Sequence, residues 1–244
     1  MHCRSFGDKS SPALVILHGW GLNSEKYELL SRLLSKHFYV LVPDFPGFGE
    51  TPEPEHPYAI ELYADELKKL LEMEQVSEAF FIGHSFGGRI TLFLAAHSPQ
   101  LVKALVLTGA AGIEKFDLKR SLKRLVFWIC SKLLKVFIFL PPVRRLRERV
   151  YRHRDIGKLQ GVMKETFLKV VKRKLNKEAG MIVQDTLLLW GRQDQTTPVM
   201  DAEKILELVP HSYLKIFSQT GHRLPYEKPH EFAHEVSQFF LSRT

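Results

Sequence analysis

Ala79-Phe80-Phe81-Ile82-Gly83-His84-Ser85-Phe86-Gly87-Gly88 is the stretch that decides how this chain folds. A short apolar run suited to a buried strand breaks into Gly-x-Ser-x-Gly, and a helical pattern follows from Arg89 to His97. A serine held between strand and helix must take strained backbone angles. The glycines around it remove the Cβ atoms that would collide with the neighbouring elements. Its hydroxyl is thrust into a cleft beside the positive end of a helix, where negative charge is tolerated.

A serine hydroxyl is a poor nucleophile until a base takes its proton, and that base needs an acid to orient it. Gln219-Thr220-Gly221-His222 follows a strand-like run over Tyr213 to Phe217, which puts His222 on a loop at a strand's end. Thr186-Leu187-Leu188-Leu189-Trp190-Gly191-Arg192-Gln193-Asp194 reads as a buried strand whose glycine turn delivers a carboxylate. The order Ser85, Asp194, His222 differs from the orders of chymotrypsin-like and subtilisin-like proteases. Asp44 precedes the serine and is expected to brace the turn through Pro46 and Gly47. Asp201 lies beyond Pro198 inside a helical stretch, so Asp194 is preferred as the acid.

An oxyanion needs two donors. Leu14-Val15-Ile16-Leu17-His18-Gly19-Trp20-Gly21 reads as a strand running into a glycine-rich turn. The expected donors are the main-chain N–H groups of Trp20 and of Phe86, the residue after the nucleophile. His18 and His84 flank the site and are expected to make structural hydrogen bonds beneath the loops. Arg89 and Arg223 could each bind a substrate carboxylate, with surface roles the more ordinary reading.

Together, His18-Gly19-Trp20-Gly21, Asp44-Phe45-Pro46-Gly47-Phe48-Gly49 and Gly83-His84-Ser85-Phe86-Gly87-Gly88 resemble the motifs of compact bacterial members of the α/β-hydrolase fold superfamily. The likeness covers Leu14 to about Gly112 and Asp185 to Phe240. It implies a mostly parallel sheet with helices on both faces and a helical cap inserted over the site. It also implies a Ser-His-Asp hydrolase needing no cofactor and no metal. Haloalkane dehalogenases and epoxide hydrolases are excluded, because they carry aspartate where Ser85 stands. Family members usually open with an antiparallel hairpin. Here only about a dozen residues precede the His-Gly strand, so a reduced sheet edge is expected.

The periodicity agrees. Strands are expected near 13–18, 38–43, 78–83, 103–109, 185–190 and 212–217, and helices near 24–36, 58–74, 86–97, 199–208 and 228–242. Strand–helix alternation predicts right-handed crossovers and a parallel sheet, with catalytic loops at the carboxyl ends of the strands. The 244 residues suit one such domain, assigned to 1–112 and 181–244, interrupted by a cap over 113–180. The composition, 45% apolar and 25% charged, is that of an ordinary soluble protein. Cys3 and Cys130 show no metal-type spacing, and no apolar stretch follows Met1. A reducing, cytoplasmic setting without a secretory signal is therefore the expectation.

The charge is concentrated in the insertion. Residues 114–178 hold 20 Lys and Arg against 6 Asp and Glu, a net of +14, whereas the remainder nets −6. Leu118, Leu122, Leu125, Ile129, Leu133, Val136 and Leu140 recur at helical steps until Pro141-Pro142, and Leu159, Met163, Phe167 and Val171 suggest a further helix. The basic face reads as a solvated surface, as attraction for an anionic or carrier-bound substrate, or as peripheral contact with anionic lipid. Nucleic acid is the poorest fit, for want of a binding motif. The apolar stretch 125–140 is too short and too interrupted by Lys132 and Lys135 to span a bilayer. Trp128, Phe137 and Phe167 are expected to wall an acyl pocket.

These readings converge on a serine hydrolase cleaving carboxylic esters through an acyl-enzyme intermediate. Carbon–carbon bond hydrolases and perhydrolases share the triad, and the fold also serves small-molecule receptors. His-Gly-Trp-Gly-Leu-Asn at 18–23 is similar to the opening motif of the esterases that demethylate pimeloyl-carrier-protein methyl ester, for which an acidic carrier would suit the basic cap.

Overall fold

The apolar runs expected as strands pair into one sheet in a computed structural model that describes residues 1–113 and 160–244. The strands are β1 (Cys3–Phe6), β2 (Ala13–Leu17), β3 (Tyr39–Pro43), β4 (Ala79–His84), β5 (Val102–Thr108), β6 (Thr186–Gly191) and β7 (Ser212–Phe217). Their order is β1-β3-β2-β4-β5-β6-β7, with β1 antiparallel to β3 and every other pair parallel. All six expected strands are present. The reduced edge is the single strand β1, which places Cys3 opposite Pro43 and Phe6 opposite Val40. Its four residues have too few apolar side chains to announce a strand by pattern.

β3, β4 and β6 are buried along their whole length, as parallel strands covered on both faces should be. Alternate side chains feed two separate cores. On one face Val15, Leu17, Leu41, Phe81 and Leu105 meet α2 (Ile60–Met73), α3 (Phe86–His97) and, farther along the sheet, α6 (Val199–Leu208). On the other, Leu14, Ile16, Val40, Phe80 and Val106 meet α1 (Glu28–Leu34) and α8 (Pro229–Leu241), where the Phe80 and Phe240 rings stack at 4.5 Å. Two short α-helices, α5 (Asn176–Ala179) and α7 (Leu224–Glu227), and two 3-10 helices, Ser24–Tyr27 and Pro99–Leu101, lie in the connections.

α4 (Gly161–Lys172) takes the place of the second helix expected in the insertion. It lies across the loop after β3. Thr166 Oγ1 accepts from the Tyr58 N–H at 3.0 Å, Lys169 Nζ donates to the Pro57 carbonyl, and Met163 sits so close over Gly47 that a Cβ there would overlap it. The first expected insertion helix, with Trp128 and Phe137, lies outside the described residues. Among the described residues no helix is long and apolar enough to cross a membrane.

Arg89 departs from the surface role expected of it. It is 7% exposed on α3, and its Nη1 donates to the carbonyls of Val170 (2.8 Å) and Arg173 (3.0 Å) at the carboxyl end of α4. A cation at that end meets the negative pole of the helix and satisfies carbonyls left over by the last turn. Burial lowers its pKa to about 10. The guanidinium ties the return of the insertion directly to α3, the helix that follows Ser85.

Asp44 gathers the segments around the end of β3. Its Oδ1 accepts from the Ser24 N–H at 2.6 Å, and its Oδ2 accepts from the Glu50 N–H at 3.1 Å and lies 2.9 Å from His2 Nδ1. This is wider bracing than the turn at Pro46 and Gly47 alone. Burial works against the charged form, but the Ser24 and Glu50 amides and His2 outweigh it, so the carboxyl titrates below its ordinary range. Asp44→Asn should cost about 1–3 kcal/mol at pH 7, because an amide cannot accept on both sides. A depressed pKa gives stability that is present above the unfolded value and lost as pH falls through the folded one. Urea titrations at pH 7 and near pH 3 should therefore show the gap between the two proteins closing in acid.

Candidate active site

The serine sits where the strand–helix junction requires. Ser85 has φ 53° and ψ −106°, a left-handed backbone for a residue with a side chain, and its N–H donates to the Thr108 carbonyl on β5 at 3.0 Å. Such strain costs about 1–3 kcal/mol and persists only where surrounding packing enforces it. Gly83 and Gly87 supply that packing. A Cβ on Gly83 would lie 2.5 Å from Thr91 Oγ1, and one on Gly87 would run into the Leu17 carbonyl. Without side chains at these points α3 settles directly onto β2 and β4, and the Gly87 N–H donates to the His18 carbonyl at 3.0 Å.

Asp194 and His222 meet from the ends of β6 and β7. The Gln193 N–H donates to the Thr220 carbonyl at 3.0 Å, joining the two loops. His222 Nδ1 lies 2.8 Å from Asp194 Oδ2. A carboxylate only accepts, so Nδ1 carries a proton, and in the neutral ring the lone pair is then on Nε2, the tautomer a general base needs. The ring rests on Gly109 (φ +55°), where a Cβ would lie 2.8 Å from it. Asp201 stands in the first turn of α6.

Thr197 is a member of this cluster that sequence reading missed. Its N–H and that of Thr196 donate to Asp194 Oδ1, both at 2.8 Å; its hydroxyl donates to Oδ2 at 2.8 Å and lies 3.2 Å from His222 Nδ1. The Thr197 carbonyl in turn accepts from the Trp190 indole at 2.8 Å. Burial pushes the Asp194 pKa up, but the His222 and Thr197 partners overcome this and leave it below the usual carboxylate range. The signal in the sequence was the run Asp194-Gln195-Thr196-Thr197-Pro198, in which a carboxylate two and three residues before free amides can close a turn on itself.

Trp20 and Phe86 approach one another edge to face with centroids 5.2 Å apart, and Phe48 lies 4.9 Å from Trp20 and 5.9 Å from Phe86. Among the described residues neither main-chain N–H reaches a protein acceptor. Phe167 of α4 closes on Trp20 at 5.0 Å. Trp128 and Phe137 lie outside the described residues. Arg223 is exposed beside His222. No group of three or more potential metal ligands occurs among the described residues.

His18 and His84 are buried and neutral. His18 Nδ1 bonds to the Gly19 carbonyl and Nε2 accepts from the Phe45 N–H; burial lowers its pKa to about 4. Burial, with the neighbouring His222 adding to it, lowers that of His84 to about 3.

The model of the alpha/beta hydrolase fold family matches residues 12–134. The chain is 26% identical to a 2-hydroxymuconate semialdehyde hydrolase of Pseudomonas sp. (strain CF600), over 93% of this chain and 86% of that protein. It is 26% identical to a pimeloyl-[acyl-carrier protein] methyl ester esterase of Vibrio campbellii, over 98% of each. A meta-cleavage product hydrolase from Pseudomonas fluorescens IP01 superposes with a TM-score of 0.74 at 21% identity, over 99% of this chain and 94% of the other.

Thr197→Val keeps the shape and removes one donor from a buried carboxylate. It should lower stability by about 1 kcal/mol at pH 7. Because Asp194 is then less depressed, the acid-linked loss of stability should be smaller and complete at a higher pH than in the parent. Thermal melts between pH 3 and 7 would reveal an unchanged acid limb if Thr197 did not hold Asp194.

Proposed function

The chain belongs to the alpha/beta hydrolase fold family and is a hydrolase, and on that premise we propose that it cleaves carboxylic esters through an acyl-enzyme intermediate. The observation that carries this reading is the 2.8 Å contact of His222 Nδ1 with Asp194 Oδ2, at the same end of the sheet as the strained Ser85. Ser85 Oγ attacks the ester carbonyl as His222 Nε2 takes its proton, and Asp194 stabilises the imidazolium. The Trp20 and Phe86 N–H groups receive the oxyanion. Collapse of the tetrahedral species breaks the bond to the alcohol oxygen, which leaves with the proton from His222. Water then repeats the steps on the acyl-serine and releases the acid.

Hydrolysis of a carbon–carbon bond by the same groups is the nearest rival, since one 26% identical relative is a semialdehyde hydrolase. The commitment of Arg89 to main-chain carbonyls weighs against it as a receiver of a substrate carboxylate. Phe167 beside Trp20 favours an apolar acyl group, and we assign residues 113–180 as the cap above it. A carrier-bound methyl ester is the narrower form of the ester reading, favoured by the net charge of +14 over residues 114–178 and by the Vibrio relative.

Two measurements test these readings. On a p-nitrophenyl ester series graded by acyl length, the parent should turn over steadily and Ser85→Ala should lose at least about a thousandfold in kcat. Equal rates in both would refute Ser85 as nucleophile. Replacing Arg144, Arg145, Arg147 and Arg149 by glutamine should slow turnover of a carrier-bound ester at low salt and spare small esters; parity on both would remove the carrier reading.

A further inference from the structure

Beneath the candidate active site runs a buried chain of hydrogen bonds that the acyl-enzyme chemistry does not use. The Gly19 N–H meets Tyr27 Oη at 3.3 Å, Tyr27 Oη meets His84 Nδ1 at 2.6 Å, and His84 Nε2 meets the His222 carbonyl at 2.9 Å. The tyrosine and the histidine are 0% and 1% exposed, with the Tyr226 ring 6.1 Å from each.

The two ends fix its direction. An amide N–H only donates and a carbonyl only accepts. His84 Nε2 must therefore carry the ring proton and give it to the His222 carbonyl, which leaves Nδ1 as an acceptor. Tyr27 must then donate its O–H to Nδ1 while its oxygen accepts from Gly19. Every polar atom in the chain is satisfied in one arrangement only. A His84 ring with the proton on Nδ1 would face Tyr27 donor to donor and would set its Nε2 lone pair against the His222 carbonyl.

The places joined are those the ester reading needs held together. Gly19 precedes Trp20 in the oxyanion turn and approaches His84 so closely that a Cβ on it would lie 3.1 Å from Nδ1. His84 precedes Ser85. His222 carries the base. Its side chain is already oriented through Nδ1 by Asp194, whereas its main chain is held at this point by His84.

We propose that Tyr27 and His84 are positioning residues, a relay that sets the main chain of His222 relative to the oxyanion turn. The proposal rests on the ester-hydrolase reading for its kinetic test. Neither side chain touches substrate. Their effect is geometric: a displacement of the base by about 1 Å can cost up to a hundredfold in rate.

The test uses the full chain with Tyr27→Phe, His84→Leu and His84→Gln, assayed where each is folded by circular dichroism. Glutamine can place its side-chain N–H near the position of His84 Nε2 and so keep the bond to the His222 carbonyl. Leucine cannot. On a p-nitrophenyl ester, His84→Leu should lower kcat about tenfold to a hundredfold with KM within about twofold. His84→Gln should recover most of that loss, and Tyr27→Phe should fall between. A merely structural role would lower melting temperature in all three and leave kcat of the folded fraction alike, which would overturn the proposal.

A second readout needs no substrate. The low-field proton resonance of the His222 Nδ1–H bond to Asp194 should stay sharp in the parent and in His84→Gln, and broaden through faster exchange in His84→Leu. Equal line widths in the leucine variant would refute the relay even if no ester were turned over. Conversely, a parent inactive on every ester, with the broadening still seen in His84→Leu and not in the parent, would refute the ester reading and leave the relay standing.

Discussion

The close seating of α3 on β2 and β4 is the constraint from which the rest of the site follows. Side chains normally keep a helix about 10 Å from a sheet, but here two glycines let backbone meet backbone. The approach forces Ser85 through a left-handed angle, and the Ser85 N–H is caught by Thr108 on the next strand. The helix also brings Arg89 under α4 and the Phe86 ring against Trp20. A single geometric condition thus orients the hydroxyl, clamps both expected oxyanion residues and anchors the end of the insertion.

Polar groups beneath the site are numerous, and burial makes each costly unless it is bonded. The structure meets this with neutral imidazoles whose two nitrogens each have a partner and with carboxylates surrounded by donors. Histidine suits such places because one ring offers a donor and an acceptor on opposite sides. Holding His18 and His84 neutral keeps additional positive charge away from His222. It also lets the loops at 18–24, 44–50 and 220–224 be tied by direction-specific bonds, which fix orientation more narrowly than apolar contact does.

Much of this was legible in the sequence because periodicity and chain order are local properties. The strand–glycine–serine–glycine–helix stretch, the glycine turn before Asp194 and the loop carrying His222 each announce themselves within ten residues. What escaped reading depends on distant neighbours. Arg89 looks like a surface cation until α4, some eighty residues later, folds its carboxyl end onto it. Tyr27 looks like an ordinary core aromatic of a short helix, and only tertiary contact gives its hydroxyl Gly19 and His84 as partners. β1 has no pattern of its own and exists because β3 offers it an open edge. Thr197 lay between: its turn chemistry was local, but its bond to His222 was not.

Arg89 binds the returning end of the insertion to α3. Among the described residues the buried Arg89 guanidinium has carbonyl partners and no carboxylate, so these helix-end carbonyls are what receive its charge. Swinging α4 away would leave both the cation and the Val170 and Arg173 carbonyls without each other, in a place that water reaches poorly. α4 also carries Phe167 against Trp20 and Met163 against Gly47. The carboxyl-terminal part of the insertion is thus bound to α3 by hydrogen bonds and packs against the turn that carries Trp20, so α3, α4 and that turn share one set of buried contacts.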